Sequence, residues 1–150
     1  QARDLARLVD FMSVGSNDLT QYLLAVDRNN ARVADLYHSL HPAVLRALLN
    51  VAEASRAENV PIGICGELAG DPGAAILLLA MGYDVLSMNA TSLPRVKKAL
   101  RNVSMNEARS LLDEVMLLDR ADLVAVRLDA FLRAHGMEKF IHEPLDHPSS

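Results

Sequence analysis

Short apolar runs alternate along this chain with longer stretches whose apolar residues recur every three or four positions, the pattern of strands and helices laid down in turn. Three runs have the length of strands: Phe11 to Val14, Ile62 to Cys65 and Val85 to Met88. They are apolar nearly throughout, which predicts parallel strands covered on both faces. Each is followed by small or polar residues and then by a helical stretch.

The helical stretches carry their own punctuation. From Pro42 to Ala57 the residues Val44, Leu45, Leu48, Leu49 and Ala52 fall on one face, with His41 ahead and Pro42 tolerated in the first turn. Pro61 introduces the second strand. The stretch Pro72 to Met81 ends at Gly82, a C-cap residue. Ser92 is placed to cap a helix beginning near Pro94, and Ser104 to Glu107 has the Ser-x-x-Glu spacing of a capping box. A last helix spans Ala121 to His135 and stops at Gly136; the tail EPLDHPSS reads as frayed. The segment GSNDLTQYLLAVDR reads as a loop passing into helical structure, followed by a short helix over Ala31 to Leu36. With no hairpin signal, repeat or linker, residues 1–150 form one α/β unit. Periodicity leaves its sheet either open or part of a barrel; in both cases ligands gather at the carboxyl ends of the strands.

Composition narrows the classes. The chain has 150 residues, 51% hydrophobic and 23% charged, with a net charge of −4, which is globular and not disordered. At this size about 70% of the unfolded surface can be buried without disulfide or structural metal. The mild acidity excludes broad neutralisation of a nucleic-acid backbone. The one dense basic group, Arg95, Lys97, Lys98 and Arg101, reads as a solvated helix face. A single cysteine excludes an internal disulfide and fits a reducing compartment, hence the cytoplasm. No apolar window is long enough to span a membrane, and QARDLARLVD lacks the core of a signal peptide. A chain opening on Gln1 predicts that something upstream has been removed.

Two strand ends carry candidate chemistry. The first delivers Gly15, Ser16, Asn17 and Asp18. Asn17 offers an amide donor and acceptor, and Asp18 a hard carboxylate suited to Mg²⁺ beside phosphate oxygens. Arg28, ten residues on from Asp18, carries a fork of donors that matches a phosphate. The same Gly-Ser-Asn-Asp run is equally good turn chemistry. The second strand ends in CGELAGD, where Cys65 serves either as acid, base or nucleophile or as a small buried hydrophobe. His38 and His41 have a metal-ligand spacing that Pro42 undermines, and Met12, Met81 and Met88 read as core filler, Met88 showing at its strand's end.

Four motifs together, SVGSNDLTQYLLAVDR (13 to 28), LHPAVLRAL (40 to 48), CGELAGDP (65 to 72) and LSMNATSLPRVKKALR (86 to 101), resemble the phosphoenolpyruvate-binding barrel of phosphoenolpyruvate-utilising enzymes. They resemble most the Enzyme I group of the bacterial phosphotransferase system. AVDRNNARVADLY and FLRAHGMEKFI look more like its nitrogen-related branch, while pyruvate phosphate dikinase and phosphoenolpyruvate synthase share shorter versions. The resemblance runs from Val9 to Arg101 and more loosely to Leu145.

It implies that this chain holds the last three βα units of a TIM-type (β/α)8 barrel plus C-terminal helices, an incomplete barrel, because a whole one takes about 250 residues. It implies that Asn17 and Asp18 contact phosphoenolpyruvate, that Asp18 also binds Mg²⁺, and that Arg28 holds the transferring phosphoryl group. Cys65 matches the acid that protonates C3 of the enolate as pyruvate forms. The phosphoryl group goes to a histidine on a separate domain and on to an HPr-like phosphocarrier protein, in a homodimeric parent. The remaining arginines and a second metal-binding glutamate fall upstream of Gln1, so the piece is expected to be inactive alone. The alternative is that it serves only as a dimerisation or interaction module.

Overall fold

The fold was obtained as a computed structural model that describes residues 1–141. The tail expected to fray, residues 143–150, lies outside the described residues, as does the end of the resemblance at Leu145.

The described residues form three strands and seven α-helices. They follow in the order α1 (Ala2–Ala6), β1 (Met12–Gly15), α2 (Ser16–Leu24), α3 (Pro42–Ala57), β2 (Ile62–Cys65), α4 (Pro72–Met81), β3 (Val85–Ser87), α5 (Leu93–Arg101), α6 (Met105–Met116) and α7 (Ala121–Ala134). The sheet is parallel with its strands in sequence order, β1-β2-β3. Met12 lies opposite Ile62 and Gly15 opposite Cys65, while Gly63 pairs with Val85 and Cys65 with Ser87.

The second strand matches the sequence pattern residue for residue, β3 ends one residue early, and β1 is shifted by one at both ends, leaving out Phe11 and taking in Gly15. Phe11 stays outside β1 because it would face Pro61, which has no N–H to give; the ladder starts where the Met12 N–H donates to the Pro61 carbonyl at 2.9 Å. Met88 stays outside β3 because its would-be partner, Gly66, turns away at φ 123°.

The expectation of a sheet covered on both faces does not hold among the described residues. Ile62 and Ile64 of β2 are buried, and Met12, Val14 and Leu86 pack on the same core. The alternate residues Ser13, Gly15, Cys65, Val85 and Ser87 are exposed. Helices therefore cover one face only. The other is lined mostly by small side chains.

At the centre of the cover lies α4, whose residues Pro72 to Leu78 and Met81 are all buried. A helix apolar all round must be enclosed by others, and α3, α5, α6 and α7 all contact it. Asp71 caps it by accepting from the Ala74 N–H at 2.7 Å, and Gly82 ends it at φ 99°. The α6 helix presents Ala108, Leu111, Leu112 and Val115 inward, and α7 presents Val124, Leu128, Phe131 and Leu132.

The capping box is formed as the spacing predicts: the Glu107 N–H donates to Ser104 Oγ, and the Ser104 N–H to Glu107 Oε2 at 2.8 Å. The Ser104 hydroxyl, which also donates to Oε2 at 2.6 Å, then the Ser104 N–H, then His135 Nε2 at 3.3 Å from the other carboxylate oxygen, hold the Glu107 carboxyl down at about 2. The cap expected of Ser92 is not made by its side chain; Asn89 Oδ1 instead accepts from the Ser92 N–H at 2.8 Å. Only the turn Ala34–Leu36 of the short helix expected over Ala31 to Leu36 is helical, and as 3-10. Upstream, the Asp27 and Asn30 side chains take backbone N–H groups two residues on, which competes with helix formation.

Candidate functional site

The carboxyl ends of the three strands open on one side of the molecule, and the first two are tied together there. Because Gly15 pairs with Cys65, the chain leaves β1 and β2 at the same level. The structure puts no loop after β1: Ser16 is already the first residue of α2, with Asn17 and Asp18 in its first turn. The turn alternative for Gly-Ser-Asn-Asp therefore fails, and a helix N-terminus, where anions are favoured, occupies the place.

Two successive side chains of that turn hold the last residue of β2 and the second residue beyond it. The buried Ser16 hydroxyl donates to the Cys65 carbonyl at 3.0 Å. Asn17 Oδ1 accepts from the Glu67 N–H at 3.4 Å, which leaves the amide N–H groups of Asn17 as donors. Between them Gly66 sits at φ 123° and ψ −175°, and a Cβ there would stand 2.2 Å from Ser16 Oγ and 3.2 Å from Asn17 Oδ1. Only glycine fits that passage.

Cys65 is exposed, so the reading as buried filler is excluded. In β2 it alternates with the buried Ile62 and Ile64 and so belongs to the uncovered face of the sheet. Asp18 is exposed, and its Oδ2 turns back toward the end of β1, 3.7 Å from where a Gly15 Cβ would be.

Arg28 stands apart. It is exposed in the turn after α2, and among the described residues no hydrogen bond or ion pair ties it to Asn17, Asp18 or Cys65. The direction of that turn is set by Ala25, which closes α2 in the left-handed region at φ 54°.

A cleft of about 610 Å³ opens at these strand ends, with Asn17, Gly66, Glu67, Met88, Asn89 and Ser92 in its lining; of the four sequence candidates Asn17 lines it, and Asp18, Arg28 and Cys65 do not. Glu67 and Asn89 are not among the sequence candidates, although each lies within a quoted motif. The signal available for Glu67 was its place two residues after the strand-end cysteine. Met88 shows at the end of its strand as expected.

Among the described residues no three His, Cys, Asp or Glu side chains gather into a closed metal centre. His41, whose pairing with His38 the sequence already disfavours because of Pro42, caps α3: its Nδ1 accepts from the Ala43 N–H at 3.1 Å. Asp18 suits a different kind of site. Mg²⁺ takes one or two carboxylates and otherwise keeps water and substrate phosphate oxygens, and an exposed carboxylate beside the Asn17 amide fits that sparse ligation. No helix among the described residues is long and apolar enough to cross a membrane.

Comparison with known proteins covers the same region. The family described as PEP-utilising enzyme, PEP-binding domain, matches residues 1–105. A phosphoenolpyruvate-dependent phosphotransferase system protein of Escherichia coli is 47% identical over 133 residues, covering 89% of this chain and 18% of that protein. A phosphoenolpyruvate-protein phosphotransferase of Haemophilus influenzae is 48% identical over 136 residues, covering 91% of this chain and 24% of that one. A multiphosphoryl transfer protein of Xanthomonas campestris is 43% identical over 124 residues, covering 83% and 15%. This chain thus spans a quarter or less of the relatives it matches, and it belongs to the family of PEP-utilising enzymes through their PEP-binding domain.

Proposed function

We propose that this chain is the C-terminal part of the barrel of a phosphoenolpyruvate-protein phosphotransferase, of the nitrogen-related branch, and that Asn17, Asp18, Arg28 and Cys65 are its share of the active site. The observation that carries the reading is the pairing of Gly15 with Cys65, which sets the first turn of α2 and the exposed thiol at one level of the sheet.

One-sided cover supports the barrel. A doubly wound sheet reverses its strand order and takes helices on both faces, whereas β1-β2-β3 in sequence order with helices on one face is what an arc of a (β/α)8 barrel would give. These are then its last three βα units, and Ser13, Gly15, Cys65 and Ser87 face its interior. The relatives, of which the chain covers 18% to 24%, are long enough to supply the rest.

In the reaction a histidine nitrogen of another domain attacks the phosphorus of phosphoenolpyruvate, and the bond from phosphorus to the enol oxygen breaks. Asn17 orients the substrate through its amide, and Arg28 takes the phosphoryl oxygens through its guanidinium fork. When bound at Asp18, Mg²⁺ supplies neutralisation of phosphoryl charge, the main requirement of such transfers. The departing enolate takes a proton at C3 from the Cys65 thiol, giving pyruvate and a thiolate that recovers its proton from water. An HPr-like carrier then accepts the phosphoryl group from the histidine. A lone thiol supports a cytoplasmic setting.

Replacing Cys65 by Ala in the full-length parent removes the proton donor, so pyruvate formation from phosphoenolpyruvate falls by roughly 10² to 10⁴. Wild-type turnover in Cys65→Ala would refute the role.

A second reading rests on the exposed apolar residues beside the open face, Leu8 at 81%, Phe11 at 71% and Val85 at 57% exposure. Such a surface suits a packing or dimerisation module. Titration calorimetry with phosphoenolpyruvate and Mg²⁺ separates the two: no binding, together with a tight dimer by light scattering, favours the second.

A further inference from the structure

We propose that Ser16 is a positioning residue of this site: its hydroxyl fixes the backbone of Cys65 to Glu67 against the first turn of α2, and so aims the Cys65 thiol at a substrate held by Asn17 and Asp18. The inference rests on the proposed function only for its consequence in turnover; the clamp itself stands on the geometry.

The parallel ladder between β1 and β2 ends at the pair Gly15 and Cys65. Beyond it the chain after β1 is helical and cannot offer a strand N–H to the Cys65 carbonyl. Ser16 Oγ takes over that partnership at 3.0 Å. The serine is 1% exposed, and its own carbonyl accepts from Thr20 Oγ1 at 2.8 Å, with Thr20 at 0% exposure. The serine backbone is thereby tied within α2, and burial keeps the hydroxyl from solvent.

On the other side, Gly66 brings its Cα so close that an added Cβ would stand 2.2 Å from Ser16 Oγ. A hydroxyl wedged between a glycine and a carbonyl has one position open to it. Asn17 repeats the grip one residue along, through the Glu67 N–H. The proton donor and the substrate-binding pair thus share one short hydrogen-bonded bridge, in which Ser16 touches no substrate.

Removing the bridge lets the turn at residues 65–67 relax while Asn17 and Asp18 keep their places in α2. The effect belongs in kcat, with little change in KM for phosphoenolpyruvate. A displacement near 1 Å at a reacting group costs on the order of a hundredfold.

The test uses the full-length parent with Ser16→Ala and Ser16→Thr, and two readouts. The first is the rate of alkylation of Cys65 by iodoacetamide across pH, followed by mass spectrometry of its peptide; the second is steady-state pyruvate release. We expect Ser16→Ala to shift the alkylation profile and lower kcat by roughly ten- to a hundredfold with KM within about twofold, and Ser16→Thr, which keeps the hydroxyl, to restore both. An altered alkylation profile with turnover untouched upholds the clamp and overturns the role given to Cys65. An alkylation profile in Ser16→Ala equal to the wild type overturns the clamp, whatever turnover does.

Discussion

Gly66→Ala tests the passage between β2 and its loop more severely than any other single change, because backbone and packing oppose it together. At φ 123° and ψ −175° Gly66 lies where essentially only glycine is found, and holding another residue there costs about 1–3 kcal/mol. The new Cβ would also meet Ser16 Oγ at 2.2 Å. Ser16 is 1% exposed, so its hydroxyl cannot move out into water. Relief of the clash must break the bond to the Cys65 carbonyl, worth about 1 kcal/mol. The sum is about 2–4 kcal/mol, a large part of the roughly 5–15 kcal/mol typical of a folded domain. Urea unfolding followed by far-ultraviolet circular dichroism reads this directly: with a slope near 2 kcal/mol per molar, the midpoint falls by about 1–2 M. The double variant Ser16→Ala/Gly66→Ala separates the parts, since it removes the clash and leaves the backbone cost. Its loss is therefore smaller than the sum of the two single losses. A Gly66→Ala midpoint equal to the wild type would refute the geometry of the passage.

Two further predictions concern the helical layer behind the site. Leu128 is 0% exposed, and its Cβ would meet a side chain at Gly73 at 3.3 Å, so Leu128→Ala leaves a hole between α7 and α4 that urea unfolding should register as about 2–5 kcal/mol. The Glu107 carboxyl, brought from 4.5 to about 2 chiefly by the Ser104 side-chain and backbone bonds, gives a pH dependence with a definite sign. The unfolded chain binds that proton more readily, so the contribution is complete above about pH 4.5 and fades as pH falls toward 2. Acid titration of stability in Glu107→Gln should be flatter in that window, and the same slope in both proteins would count against the capping-box account.

What the amino-acid pattern made legible is what is encoded locally. β2 is bounded by a proline on one side and a glycine on the other, and α3 and α4 each begin at a proline in the first turn, so all three are found with their ends. The ends of β1 and β3 depend instead on what the partner strand offers, Pro61 in one case and the turn at Gly66 in the other. The α1 helix has five residues and no strong pattern; it lies against α3, where Arg3 and Arg7 reach Glu58 at 2.6 and 3.2 Å. That Asn17, Asp18 and Cys65 stand at or just beyond the carboxyl ends of strands was legible, and such ends collect ligands. The uncovered face was not, although its signal is present: the residues alternating with the buried ones are Ser13, Gly15, Gly63, Cys65, Val85 and Ser87, all small except Val85. Arg28 follows a left-handed turn at Ala25 that no residue type announces, and sequence alone gave no reason to expect it apart from the others.

The division of the site between two βα units has a physical logic. Phosphoryl transfer demands placement and neutralised charge more than covalent assistance, and in the proposed reaction these fall to Asn17 and Asp18 on the first turn of α2, beside the buried Ser16, and to Arg28 in the turn after it. Proton delivery demands a single atom at the right distance, and in the proposed reaction Cys65 would supply it from the end of a strand. Neither half is worth much if the other drifts, since an enolate formed out of reach of the thiol returns to phosphoenolpyruvate or waits for water. The ladder at Gly15 and Cys65 and the two bonds beyond it couple the halves with no side chain to spare. Substitutions at residues 15–17 and 65–67 therefore share one bridge, and their effects on turnover should fall short of additivity, unlike pairs drawn from opposite ends of the helical layer.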